Sequence, residues 1–411
     1  MLYLDCMNIL LGIIIGLIIL MLLVVAHEFG HFIMARKNGV RVLEFGIGFP
    51  PRAIAWVRNP SWQKGKKGVK KWIRLPKSEW NKPQKHMIFS LNWLPIGGFC
   101  SMDGESDSDT RQGTFGATSF WSKTKILFGG VLMNWLVAAI VLTILAFTGM
   151  PQFIEHQFYL GNDAEIIGDG VTVVDVIENS PAKQAGFQKG DQIVKVEDVT
   201  IMYPTDVTSY GQAHAGETVR YTVKNHETER ELSAKLNPEN SEYSLGVSMS
   251  YGQTFIRSTW SAPIVGLGTT IQLTGETFHG LGDMVWNLIS GAVRQFSSDS
   301  VVREAGQTAI SAAGDAVSGP IGIIGIIFPA FASSGVSNLA FLAAIISISL
   351  ACMNVLPIPA LDGGRWLLIA IYKLRRKPLT KETEERIVSR AFMILIMLII
   401  FISILDITRF F

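Results

Sequence analysis

Three ionisable residues in five positions, His27-Glu28-Phe29-Gly30-His31, follow a segment, Ile9 to Ala26, that carries no charged or strongly polar side chain. On a helix, His27 and His31 are four apart and share a face. Two imidazoles at that spacing can hold one zinc ion, and Glu28 beside them can serve as general base. Ionisable groups inside a bilayer cost roughly 2.5–3.5 kcal/mol each, so a chain keeps them there when something offsets the cost, and a bound cation does so. The competing reading of the run alone is a helix end whose His and Glu side chains reach back to the interface.

Such a site needs elements that hold it inside lipid. Hydrophobic residues make up 48% of the 411 and charged residues 17%, and the mean hydropathy is +0.32. This is the composition of a membrane protein with a soluble part, and it excludes an ordinary soluble domain. Four segments are predicted to span: about Ile9–Ala35, Ile126 to about Met150, Val336–Leu356, and Ala391–Leu405, the last short for a full crossing, with Asp406 near the far interface. Ile321 to Phe331 is apolar but broken by Gly and Pro, and reads as interfacial or re-entrant. No small-residue cleavage site follows the first span, which is expected to be retained. Cys6, Cys100 and Cys352 are scattered and suggest neither a disulfide framework nor a cysteine metal site.

Charge sets the expected orientation. Residues 35–125 hold 17 Lys/Arg against 6 Asp/Glu, residues 151–335 hold 10 against 21, and residues 371–390 hold 7 against 3. Basic loops stay in the cytoplasm, so the first loop and the short late linker are expected there, the long acidic middle segment outside, and both termini outside. The basic run Lys64 to Lys71, with Trp62, Trp72 and Trp80, reads as a contact with anionic headgroups. Nothing else in the chain supports a nucleic-acid partner.

A zinc site needs a third protein ligand and an open position. The third apolar stretch ends Asn354-Val355-Leu356-Pro357-Ile358-Pro359-Ala360-Leu361-Asp362-Gly363-Gly364, and Asp362 is the only acid between Asp315 and Glu382. Pro357 and Pro359 unwind the helix, which is tolerated inside a membrane where backbone lines a cavity. Alone, Asp362 also reads as a turn residue. Depth favours the ligand: Arg36 lies nine residues after His27, about 14 Å along a helix, and Lys373 lies eleven after Asp362. Both spans trail towards the cytoplasm, so the two half-sites reach one level of the bilayer. Arg365 fits if it snorkels or faces the cavity.

These residues together resemble the site-2 protease family of intramembrane zinc metalloproteases, in the bacterial branch with a PDZ domain outside the membrane. HEFGH fits the family's H-E-x-x-H, and Asn354 to Gly363 fits its N-x-x-P-x-P-x-L-D-G. Further matches are Glu44 to Pro50, Leu94 to Met102 (P-x-G-G-Y-V-x-M in the family), Phe128-Gly129-Gly130 through Asn134, and Ser318-Gly319-Pro320-Ile321-Gly322-Ile323. Departures are Cys100 and Ser101, Val131 in place of a usual Pro, and an insertion over 59–86.

The resemblance implies one zinc ion per chain bound by His27, His31 and Asp362, with Glu28 as general base and Asn354 holding the substrate or the oxyanion. Asn354 could equally satisfy unwound backbone. A zinc ion so bound keeps one net positive charge and brings the pKa of a water to about 7. Cleavage of a transmembrane helix needs an unwound substrate. Gly97, Gly98 and Phe99, in a hairpin edge over Ile96 to Met102, together with Pro357 and Pro359, are the expected substrate contacts, by strand addition. An ordinary turn at Gly97-Gly98 is the alternative.

Outside, Val171 to Val176, Ser180-Pro181-Ala182, Ala185-Gly186-Phe187, Lys189-Gly190-Asp191 and Ile193 to Val196 resemble a PDZ core, with room for one such domain. It is expected either to sense an extended peptide or to exclude substrates with large external domains.

The expected fold is a polytopic α-helical membrane protein with about four transmembrane helices and one extracytoplasmic PDZ-like α+β domain. Its expected parts are a first helix with the HExxH motif (1–37), a cytoplasmic or membrane-associated loop region with a β-hairpin (38–125), a second helix (126–150), the PDZ domain (151–260), an amphipathic interfacial segment (261–335), a third span with the Asp362 motif (336–375), and a linker with the fourth helix (376–411). The resemblance implies a multi-pass protein of the bacterial inner (cytoplasmic) membrane with its active site towards the cytoplasm. It would cut single-span membrane proteins already shortened by another protease, in regulated intramembrane proteolysis. A non-catalytic membrane PDZ adaptor is the alternative, although an adaptor needs none of His27, Glu28, His31 and Asp362.

Overall fold

Long segments rich in Leu, Ile and Val, with glycines set among them, give long helices in the computed structural model, which describes residues 2–410 except 60–70, 81, 83, 85, 155, 169–170, 202, 226–227, 239–240, 242, 252–253 and 316–318. The basic run from Lys64 and Trp62, and Ser318 of the Gly-Pro element, lie outside the described residues. In chain order the elements are α1 (Leu2–Lys37), β1 (Val42–Arg58), β2 (Trp72–Arg74), β3 (Ile88–Met102), α2 (Phe120–Thr148), β4 (Met150–Pro151), β5 (Glu165–Gly168), β6 (Val171–Val176), α3 (Pro181–Ala185), β7 (Gln192–Val196), β8 (Val199–Thr200), α4 (Pro204–Ala213), β9 (Thr218–Asn225), β10 (Thr228–Lys235), β11 (Val247–Tyr251), β12 (Thr254–Arg257), α5 (Ala262–Gln295) and α6 (Ser300–Asp315). There follow α7 (Pro320–Ser333), whose Ile323–Ile327 turn is π-helical, α8 (Val336–Val355), α9 (Asp362–Leu374) and α10 (Lys381–Phe410). Among the described residues, four helices are long and apolar enough to cross a membrane: Ile9–Lys37, Phe120–Thr148, Val336–Val355 and Lys381–Thr408.

The chain divides into two units, residues 1–142 with 269–411, and residues 143–268. In the first unit, helices meet where side chains are smallest. A Cβ at Gly30 would stand 2.1 Å from the Gly129 carbonyl oxygen, so the backbones of α1 and α2 touch there. At Gly12 and Gly16 the same helix accepts Pro329 and Phe328 of α7. Without a hydrophobic drive between helices in lipid, close backbone packing of this kind is what holds them. The strands of this unit run β2-β1-β3. Phe45 of β1 is partnered by Cys100 on one side and Phe89 on the other.

One sequence expectation is overturned. The fourth apolar helix is not short: it begins at Lys381, ten residues before the apolar run. Asp406, expected near the far interface, is enclosed by the protein. It is 1% exposed, and its carboxylate accepts the backbone N–H groups of Gly319 at 3.1 Å and Gly322 at 2.8 Å. A carboxylate satisfying the free amides at the start of α7 explains how an acid sits inside an apolar cluster. Arg365, adjacent to the Asp362 motif, does face a cavity: its Nε donates to the buried Glu384 at 3.2 Å and its guanidinium lies over the Phe115 ring.

In the second unit, sheet order is β10-β9-β7-β6-β11, around a core that includes Val171, Val173, Phe187, Ile193 and the fully buried Tyr221. Ser180 caps α3 by accepting the Lys183 N–H. β11 stands at the sheet edge beside α4.

Candidate functional site

Helical periodicity puts His27 and His31 on the face of α1 that meets α2, and both are buried. Gly130 makes this possible. A Cβ at that position would lie 2.6 Å from His31 Nε2 and 2.7 Å from His27 Nε2, so only a glycine leaves the imidazoles their space. His31 Nδ1 donates to the Ile126 carbonyl at 2.8 Å, which fixes its ring and leaves Nε2 free to bind.

Asp362 arrives from 335 residues away. The chain leaves α8 at Leu356, turns through Pro357 and Pro359, and re-enters a helix at Asp362. The turn is tight because Gly363 and Gly364 press on it: a Cβ at Gly363 would meet the Val355 carbonyl oxygen at 2.1 Å, and one at Gly364 the Ile358 carbonyl group at 2.0 Å. Asp362 Oδ2 then lies 3.1 Å from His27 Nε2 and 3.3 Å from His31 Nε2, and the two Nε2 atoms are 3.1 Å apart.

These edges match a tetrahedral cation. Ligands at about 2.0–2.2 Å from zinc lie ~3.3 Å from one another. Among the described residues this is the one group of His, Cys, Asp or Glu side chains arranged to hold a metal. Two neutral nitrogens and one carboxylate are the donor set of a catalytic rather than a closed structural zinc site.

Glu28 is half-buried beside the two imidazoles, and the backbone N–H of Cys100 is directed at its carboxylate. Gly97 and Gly98 lie against Val24 and Val25 of α1, one turn before the histidines. The segment Gly98–Ser101 pairs only with Glu44–Ile47, so among the described residues its other edge has no strand partner. Phe99 stacks on Phe49. Pro357 is exposed and Pro359 half-buried. Pro359 and Asp362 border a cavity of about 870 Å³ whose far wall includes Glu105, Arg365 and Glu384. Asn354 is not aimed at the three ligands: its amide donates to the Leu350 carbonyl one turn back at 2.9 Å.

Sequence reasoning gave no role to Gly130, the Ile126 carbonyl or Asn134. Asn134 is fully buried, with its amide nitrogen 3.5 Å from His27 Nδ1. The available signal was its isolation as the lone amide in the apolar run from Ile126 to Leu142.

The profile of Peptidase family M50 matches residues 15–62 and 66–399. The chain belongs to Peptidase family M50. It is similar to a candidate zinc metalloprotease of Clostridium perfringens, 27% identical over 94% of this chain and 95% of that one. A candidate zinc metalloprotease of Clostridium acetobutylicum is 27% identical over 96% and 97%, and the zinc metalloprotease RasP of Shouchella clausii 25% identical over 95% and 97%. As an M50 peptidase the chain is a zinc metalloprotease of the site-2 type and a membrane protein, and the adaptor reading gives way to the catalytic one.

Proposed function

We propose that this M50 peptidase hydrolyses peptide bonds within transmembrane segments of single-span proteins, with one zinc ion per chain held by His27, His31 and Asp362. The observation that carries the reading is the trio of ligand atoms at tetrahedral spacing, contributed by two apolar-flanked motifs. Zinc bound there supplies Lewis acidity to a water and to the scissile carbonyl. Glu28 takes the proton from the attacking water and delivers it to the leaving amine. The burial of both imidazoles and the closeness of Gly130 keep bulk solvent from the ligand set. Asn354 reaches the substrate or the developing oxyanion only after releasing Leu350, so its role depends on a change of side-chain rotamer on substrate entry.

An unwound substrate adds as a strand along the free edge of Gly98–Ser101, passing Glu28, with Gly97, Phe99, Pro357 and Pro359 around it. The positive loops support a multi-pass arrangement in the bacterial inner membrane with the site towards the cytoplasm and the 151–260 region outside, and the family resemblance implies substrates already shortened outside by another protease.

For the outer region, the PDZ-like reading with a peptide-sensing groove is favoured over a passive filter. The exposed edge of β11 and the flank of α4 enclose a cavity of about 420 Å³ lined by Val207, Thr208, Gln212, Val247 and Met249, a shape suited to an extended peptide.

The test is cleavage of a library of single-span proteins by the purified enzyme, with and without a chelator, beside the Glu28→Gln variant. Cuts inside the spans that vanish with chelator and in the variant are expected. Biological activity retained by Glu28→Gln, or cuts confined to regions outside the spans, would overturn the reading. Deleting residues 165–251 and finding unchanged exclusion of substrates bearing a folded outer domain would remove the filter alternative.

A further inference from the structure

We propose that Asn134 is the positioning residue for His27: its amide oxygen accepts the His27 Nδ1 proton and so presents Nε2 to the metal. The inference rests on the zinc reading above. An imidazole offers its Nε2 lone pair to a cation only when its proton sits on Nδ1, and both Nε2 atoms face Asp362. The His31 Nδ1 proton has an acceptor, the Ile126 carbonyl at 2.8 Å. The polar group at His27 Nδ1 is the Asn134 amide, at 3.5 Å.

The amide itself points to the same pairing. Asn134 is fully buried, and its Oδ1 has no partner while its nitrogen faces His27. A buried unpaired oxygen costs about 1–3 kcal/mol. With the His27 proton on Nδ1, as metal binding through Nε2 requires, that orientation sets two N–H groups against each other. The two ends of an amide are nearly alike in shape, so hydrogen bonding decides which faces which way. Rotating the group by 180° brings Oδ1 opposite Nδ1–H and gives the orphaned oxygen its donor.

The backbone is built for this. Asn134 lies four residues after Gly130, on the same face of α2, so one turn makes room for the rings and the next orients one of them. Ser347 of α8, fully buried, donates to the Asn134 carbonyl at 2.8 Å and fixes that turn. The two histidines are thus oriented by different means, one by a main-chain carbonyl and the other by a side chain open to substitution.

The experiment measures zinc affinity of the purified full-length chain in detergent by competition with a chromophoric chelator, together with melting of the chelator-treated protein. Removing such a partner of a ligating histidine lowers metal affinity about 10–100-fold, and this loss is expected for Asn134→Ala with the metal-free melting unchanged. Asn134→Asp keeps the acceptor and is expected to hold zinc at least as tightly as wild type, whereas Asn134→Leu, of similar size but without an acceptor, falls with the alanine variant. This pair decides the matter if the alanine variant folds poorly. Wild-type affinity in Asn134→Leu, or equal losses in the Asp and Leu variants, would overturn the assignment while leaving the metal site standing. A wild-type chain that takes up no zinc would overturn both.

Discussion

Replacing Gly130 with alanine adds one methyl group at the point where α2 faces both imidazoles. That methyl carbon would lie 2.6 Å from His27 Cε1 and from His31 Nε2, and 2.7 Å from His27 Nε2, against an ordinary contact of at least 3.4 Å. The rings or the helices must therefore give by about 0.8 Å, the difference between the ordinary contact and the closest approach. Parting the helices instead would break the contact of the Gly30 and Gly129 backbones one residue away. His31 is further tied to Ile126. The rings must rotate, which carries both Nε2 atoms off their 3.1 Å edge. A misplacement of about 1 Å in a catalytic constellation can cost roughly 100-fold in rate, and a loss of that order is expected, with weaker zinc binding. Helix propensity alone would favour alanine by about 1 kcal/mol, so a purely structural glycine predicts the opposite sign. Gly280→Ala, in α5 with open space around its Cβ position, is the control and is expected to be neutral or slightly stabilising. Zinc competition and cleavage of a single-span substrate read the result. Wild-type zinc affinity and rate in Gly130→Ala would refute the reasoning.

Other outcomes follow from the same geometry. Glu28→Gln is expected to keep its zinc and melting temperature while cleavage falls about 10²–10⁴-fold, and metal loss in that variant would make Glu28 a ligand instead. Asp406→Ala strips the acceptor from the buried amides of Gly319 and Gly322 around the start of α7 and should destabilise the chain by about 2–3 kcal/mol, read by chemical melting in detergent. Desolvation raises the Asp163 carboxyl, but hydrogen bonds from Ser261 and Thr259 outweigh it and bring the group down to about 2. Its stabilising contribution is therefore complete above the ordinary aspartate value of about 3.9 and lost as pH falls towards 2. Amide exchange at Thr259 and Ser261 should accelerate across that window, and exchange insensitive to pH there, beyond the intrinsic rate, would show the bonds to be idle.

What the sequence revealed was chemistry with strict local spacing. His27 and His31, the proposed ligands, share a helix face because they are four apart, and an acid in an otherwise uncharged stretch draws notice to Asp362. The start of α10 was hidden because its first turns are polar: Lys381, Glu382 and Glu384 belong to a helix by hydrogen bonding, not by hydropathy. The partners of Asp406 were not legible because they are amides 84 and 87 residues away. No local pattern encodes a carboxylate that caps another helix. The double partnership of Phe45 with Phe89 and Cys100 is equally invisible, since alternation along a strand tells which face is apolar but not which strands flank it. Asn354, placed at the site by its motif, is engaged within its own helix, because a motif fixes a residue's place in the backbone and not its rotamer.

In the proposed zinc site, the residues that ligate and the residues that allow ligation differ in kind. Histidine and aspartate supply lone pairs, but they meet only because backbones approach to van der Waals contact at positions that carry no side chain. Gly30 and Gly129 seat α2 on α1, Gly130 admits the rings, and Gly363 and Gly364 fold the Asp362 turn onto the end of α8. Lipid offers no hydrophobic gain for bringing helices together, so these contacts rest on dispersion and hydrogen bonding, both of which fall steeply with distance. A methyl group at any of these glycines therefore acts on the metal through geometry and not through charge. The ligand set depends on these glycines as directly as on its own imidazoles. A variant with intact His27, His31 and Asp362 but a widened α1–α2 contact at Gly30 should lose zinc while its metal-independent helices remain folded.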